Sequence, residues 1–402
     1  MTTTYPDSIR SEAGPLSRSA IGPRQIALGA LFLTVAAVEF SIAVAQIFFA
    51  LAAVAWAATL VVERRRPSAP AWAIPLALYA GWTLVSAFFS PDPRASFADC
   101  RQLLLLLIVP LTYEVVDEHS AVPLTTVVLI AGACSALVGI GQYAILHYDN
   151  LGQRPRGTLG LYMTFSGLMM LVLNVAVARA LFLAKSRVWP LVVMPALAVV
   201  LALTFTRSAW VGWCLAAAVV LMMRDFRLTA LLPALAAVFF ALAPSPVVQR
   251  FYSIFDLHDP TNRDRLAMLR AGERILRDHP VTGVGPNMLQ RVYSRYRDDG
   301  AVLQDAPHLH NVPLQIAAER GLPALGLWVW CIGAIVVGAI SLFRTAPREG
   351  PVRFLAAAAL ASVVSMLGAG MFEHNFGDSE FLMLFLVLVT LPFAVTKTRQ
   401  RY

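Results

Sequence analysis

The chain has 402 residues, 58% hydrophobic and only 14% charged, with a mean hydropathy of +0.66 and a formal net charge of +8. Soluble domains carry about 25% charged residues. An ordinary soluble enzyme, a disordered chain and a disulfide-stapled secreted domain are therefore excluded. The four cysteines, Cys100, Cys134, Cys214 and Cys331, stand far apart with no CxxC pair, so no cysteine zinc site is implied. A basic excess in so apolar a chain orients loops and does not point to nucleic acid.

The first 24 residues are polar, carry Arg10, Arg18 and Arg24, and lack the apolar centre of a signal peptide, so a cytoplasmic tail is expected. Twelve apolar segments follow, at about 25–39, 42–62, 71–89, 102–117, 123–146, 159–184, 188–206, 208–223, 228–244, 322–342, 353–371 and 380–396. Long uninterrupted apolar runs of this kind predict spanning helices. The expected fold is thus an all-α polytopic membrane protein of about twelve transmembrane helices. With the N-terminus inside, the inner segments carry sixteen Lys and Arg and the short outer segments five. That bias places both termini in the cytoplasm.

Residues 245–321 form one long connection between the ninth and tenth spans, expected on the outer face. The organisation expected is a tail and nine spans over 1–244, the loop over 245–321, and three spans with the C-terminus over 322–402. The loop reads as ordered. A helix is predicted near 262–277 after Asp259-Pro260-Thr261, then a Gly283-Val284-Gly285-Pro286 turn, then a helix near 287–297 with Met288, Val292 and Tyr296 at helical spacing.

Three groups of residues could carry chemistry. Arg207, in Thr206-Arg207-Ser208, sits between two apolar runs. It is either an arginine reaching for lipid headgroups or an anion ligand at the mouth of a cavity. Arg263 and Arg265 open the first loop helix, where the helix dipole also favours an anion; the plainer alternative is a solvated, charge-paired face. The sharpest group is His308-Leu309-His310-Asn311 running into Gln315 and Glu319. Asn311, Gln315 and Glu319 recur every four residues, so they line one face of a short helix, which Gly321 and Pro323 break before the tenth span. A neutral imidazole is a natural general base. A metal site through His308 and His310 lacks an obvious third and fourth ligand. Weaker signals on the same side are Arg154-Pro155-Arg156, Glu373-His374-Asn375 with Asp378, and Asp92-Pro93-Arg94 with Arg101, each read as loop residues.

This constellation resembles the O-antigen ligase family of bacterial inner-membrane glycosyltransferases. The resemblance rests on about twelve spans, one large loop before the late spans, the Thr-Arg-Ser element at Arg207, and His310-Asn311 followed after nine residues by Gly321. Arg265 with Leu269 and the stretch from Asp278 to Gly285 are also similar. The part bearing motifs covers about residues 204–325. The resemblance implies transfer of a glycan from undecaprenyl pyrophosphate to a sugar hydroxyl of lipid A-core in lipopolysaccharide biosynthesis, at a site in the periplasm, with no cofactor and no metal. It implies His310 as the base and Arg207, Arg265 and Arg156 on the pyrophosphate. Asn311, His308, Glu319 or Asp378 would orient the base or the acceptor. O-antigen polymerases and O-linked protein oligosaccharyltransferases share the donor and the motif. A lipid-linked glycan transporter is the alternative of another class; it would place its key polar residues near mid-membrane.

Overall fold

The structure is a computed structural model that describes residues 22–256, 258–298 and 303–397. Arg10, Arg18, Arg399 and Arg401 of the orientation argument lie outside the described residues. The described elements are all helical: α1 (Pro23–Ala37), α2 (Ile42–Val62), α3 (Ala73–Phe88), α4 (Pro93–Asp99), α5 (Ile108–Val115), α6 (Ala121–Ala144), α7 (Tyr162–Phe182), α8 (Val188–Leu203), α9 (Arg207–Arg224), α10 (Leu231–Leu242), α11 (Ser245–Tyr252), α12 (Pro260–Asp278), α13 (Leu289–Tyr296), α14 (Val312–Thr345), α15 (Pro351–Gly370) and α16 (Ser379–Thr396). Among them, eight stretches are long and apolar enough to cross a membrane. Four shorter apolar helices, including Phe226–Leu242, fall on the remaining expected segments. The chain is a polytopic helical membrane protein.

Helices α7, α15 and α16 are apolar all round and buried, so they form the centre of the bundle. Small residues let α15 approach its neighbours. At Gly212 of α9 an added Cβ would stand 2.6 Å from the Ser365 carbonyl oxygen, a spacing only glycine tolerates. Asn174 of α7 donates from Nδ2 to Ser365 Oγ at 2.8 Å, satisfying a polar side chain inside the bundle.

The fourth apolar segment differs from its expected form. Asp92 accepts from Ala95 N at 3.1 Å, and Pro93 occupies the first helical turn, so the helix starts there rather than near 102. It runs through α4, a 3₁₀ stretch over Cys100–Leu107, and α5. Arg94 and Arg101 are therefore helix residues and not loop residues.

The long connection is ordered and has a core of its own. Met268 and Ile275 of α12 pack with Val284, Leu289, Tyr293 and Leu309. It is fastened to the bundle by backbone: Val284 N donates to Ala318 O at 3.0 Å and Gly285 N to Glu319 O at 2.8 Å. Ser86 of α3 adds hydrogen bonds to Thr282 O at 2.6 Å and to Glu319 O at 3.0 Å. The expected break at Gly321 is a kink within α14, with φ 81° and ψ 173°. The short helix α11 was not expected from sequence.

Candidate functional site

His310 is held from both sides in the chain. Leu309 N donates to Gln315 Oε1 at 2.8 Å, and Asn311 caps α14 by accepting from Leu314 N at 2.9 Å. Asn311 also donates from Nδ2 to Met371 O at 3.2 Å, tying the site to the α15–α16 turn. Between these anchors His310 takes φ 50°, a left-handed conformation that costs a non-glycine residue free energy and that gathers at functional sites.

The His310 Nδ1 atom lies 2.9 Å from Glu373 Oε1, which also accepts from His374 N at 3.0 Å. Burial raises the Glu373 carboxyl, but the His310 hydrogen bond and charge, the His374 N–H and the charge of Arg265 outweigh it and hold Glu373 below the usual carboxylate range. Glu373 is therefore an ionised acceptor, and Nδ1 carries the proton. That tautomer leaves the Nε2 lone pair of a partly exposed imidazole free to take a proton.

Two further imidazoles stand behind. His308 and His374 stack with centroids 4.5 Å apart and planes at 26°. Burial and the charge of His310 push His308 below its ordinary value, against the pull of Glu373, Asp99 and Asp378. Burial, His308, Arg320 and His310 push His374 further down. Both are neutral near pH 7. His374 also lines a small cavity of about 40 Å³ with Asp99, Cys100 and Arg320.

A cluster of arginines adjoins this centre. The chain turns through Phe205 at φ 55°, and α9 begins with Arg207. Arg207 is buried, and its fork is occupied: Nη1 donates to Ser253 O at 2.6 Å and Oγ at 3.0 Å, and Nη2 to Asn262 Oδ1 at 2.9 Å. Asp259 caps α12 and pairs with Arg207 at 3.5 Å and with Arg250 at 3.6 Å. Burial and the charges of Arg207, Arg154 and Arg265 lower Arg250 to about 10, with Asp259 pulling the other way. Burial and Arg207 lower Arg265 too, against Glu373. Of the four guanidinium groups, Arg207, Arg250 and Arg265 feel the Asp259 carboxylate, and Arg265 feels Glu373 as well. Arg265 makes no hydrogen bond or ion pair among the described residues, so its donors are open to an anionic ligand.

The other sequence candidates have identifiable positions. Glu319 is buried, accepts from Asn287 N at 3.1 Å and pairs with Arg320 at 2.8 Å; it holds the Gly283–Asn287 turn. Asp378 caps α16, accepting from Glu380 N at 3.1 Å, and its other oxygen accepts from Thr164 Oγ1. Arg156 is exposed, 5.9 Å from the Tyr148 ring, whereas Arg154, 4.2 Å from the Tyr162 ring, is the arginine whose charge reaches Arg207 and Arg250. Sequence reasoning missed Arg250 and the pairing of Glu373 with His310. The available signals were slight: a lone arginine in Gln249-Arg250-Phe251, and an acid beside a histidine between two apolar runs.

Residues 192–329 match the O-antigen ligase family. The matched stretch holds Arg207, Arg250, Arg265, His308, His310 and Glu319; Arg154 and Glu373 lie outside it. No curated protein matches the chain. The match covers about a third of the chain and is a similarity to O-antigen ligases over that stretch.

Proposed function

We propose that the protein is an O-antigen ligase whose site faces the periplasm. It takes a glycan from undecaprenyl pyrophosphate and joins it to a sugar hydroxyl of lipid A-core. The observation that carries this reading is the His310–Glu373 pair with the open guanidinium of Arg265 beside it. Glycosyl transfer from a diphosphate needs a base for the attacking hydroxyl and positive charge for the departing group. In the proposed step, His310 Nε2 takes the hydroxyl proton as the oxygen attacks the anomeric carbon. The carbon–oxygen bond to the diphosphate breaks, and undecaprenyl pyrophosphate leaves with the bonding electron pair. Arg265, Arg250 and Arg154 offset the charge that grows on it. Arg207 holds the cluster together through Ser253 and Asn262 while adding its own charge. Glu373 stabilises the imidazolium that forms.

The test is transfer by purified protein from a polyprenyl-pyrophosphate glycan to lipid A-core. His310→Ala is expected to lower turnover by about 10²–10⁴-fold, and Glu373→Gln to lower kcat with KM for donor little changed. Turnover of His310→Ala near that of wild type would overturn the base assignment. Longer polyprenyl-linked glycan, with none joined to lipid A-core, would move the protein to the polymerases.

A further inference from the structure

The helix that starts at Pro93 has two unlike faces. Ser96 and Cys100 point inward, and Ser96 Oγ donates to Pro286 O at 2.8 Å. Along the other face lie Arg94, Phe97, Arg101, Leu104 and Leu107, all exposed. In the 3₁₀ stretch, residues three apart eclipse one another, so Arg101, Leu104 and Leu107 stand in a row. From Arg94 to Leu107 the row extends roughly 24 Å, close to the ~20 Å of one membrane leaflet with its headgroups. Its cations sit at the loop end and its aliphatic residues further in, the order of an anionic lipid in that leaflet. Phe88 and Phe89, paired edge to face at 5.3 Å and 66% and 63% exposed, close the preceding helix.

Arg94 and Arg101 have no acidic partner among the described residues, whereas the neighbouring Asp92 is taken by Arg291 at 2.5 Å. The two arginines are separated by roughly 11 Å along the axis, too far for one phosphate to bridge without stretching both side chains. The same helix touches the candidate active site by separate residues. Gln102 donates to Gly377 O at 2.9 Å and to Ser379 Oγ at 3.0 Å, on the turn that carries Glu373. The Asp99 charge reaches His308.

We propose that this face binds the acceptor: an acylated glycolipid whose headgroup carries two phosphates, one at Arg94 and one at Arg101, with its chains along Leu104 and Leu107. The choice of lipid rests on the ligase reading. Donor and acceptor would then reach His310 from distinct cationic sites, the donor through Arg265 and the acceptor along the Pro93 helix.

The test is binding of bisphosphorylated lipid A to the full-length protein in phosphatidylcholine nanodiscs. The Arg94→Gln/Arg101→Gln protein is expected to bind about ten-fold more weakly than wild type. Arg94→Lys/Arg101→Lys and Arg265→Gln should stay near wild type. Lipid A with one phosphate removed should bind wild type more weakly than the intact lipid does, by less than the full loss in the double glutamine variant. Equal binding of the intact lipid by wild type and the glutamine variant, or of both lipid forms by wild type, would overturn the proposal. So would displacement of lipid A mole for mole by phosphatidylglycerol. Comparing the two lipid forms on wild type keeps the test decisive if the glutamine variant does not fold. Binding needs no turnover, so absence of transfer by wild type would sink the ligase reading while leaving this readout intact.

Discussion

The Cα of Gly321 lies so close to Val281 that an added Cβ would stand 1.8 Å from the Val281 carbonyl oxygen. At φ 81° the backbone there is also one that side chains rarely adopt. This contact is where α14 kinks and where Leu322 N donates to Pro280 O at 2.8 Å. Gly321→Ala should therefore push the loop off α14, at a cost on the order of 3 kcal/mol or more from strain and overlap. The expected result is a clear fall in the apparent Tm of the purified protein and loss of transfer. An alanine variant with unchanged Tm would contradict the contact.

Arg207 and Arg265 should separate in their effects. Arg207 is buried and already bonded to Ser253, Asn262 and Asp259, so Arg207→Gln leaves those acceptors short of donors and should destabilise by roughly 2–4 kcal/mol. Arg265 has no such partners, so Arg265→Gln should keep the wild-type Tm and lose transfer. Inorganic pyrophosphate should raise the Tm of wild type, as any ligand of the native state does, and raise it less in Arg265→Gln. An equal rise in both proteins would remove Arg265 from the anion site.

Acid should weaken the fold through the stacked imidazoles. His308 and His374 have values below the ordinary 6.5 in the folded protein, chiefly through burial. As pH falls through 6.5 the unfolded chain takes up protons that the folded chain does not, so stability is complete above that value and declines below it. The Glu373 carboxyl is held low as well, so the stability it contributes is complete above the usual carboxylate range and is lost as pH falls into and below that range. Apparent Tm measured from about pH 7.5 to 5.5 should fall by several degrees in wild type, and His374→Gln should flatten that slope. Equal slopes in the two proteins would show that the pair is not buried neutral.

Much of this was legible in the sequence. Apolar runs of spanning length located the helices because a membrane-embedded backbone must satisfy its own hydrogen bonds, leaving few alternatives to a helix. The spacing from His310 to Gly321 marked the loop's end, since a histidine at a helix start and a glycine at a kink are both dictated locally. The start of the fourth span at Pro93 was also written in Asp92-Pro93, but a hydropathy reading passes over a cap that lies among charged residues.

The pairing of His310 with Glu373, 63 residues on, could not be read this way. Nor could the gathering of Arg154, Arg207, Arg250 and Arg265 from four separate elements, or the substitution of Arg154 for Arg156 in that cluster. Sequence by itself determined most of the helical segments, though not the short α11 or the start of the fourth span, and where the reactive residue types lie, because those depend on local hydropathy and spacing. Which arginine is consumed by structure, which stays open and which carboxylate sets the histidine tautomer were decided by tertiary packing alone. Side-chain distance, burial and mutual charge exist only once α9, α12, α14 and the α15–α16 turn have been brought together.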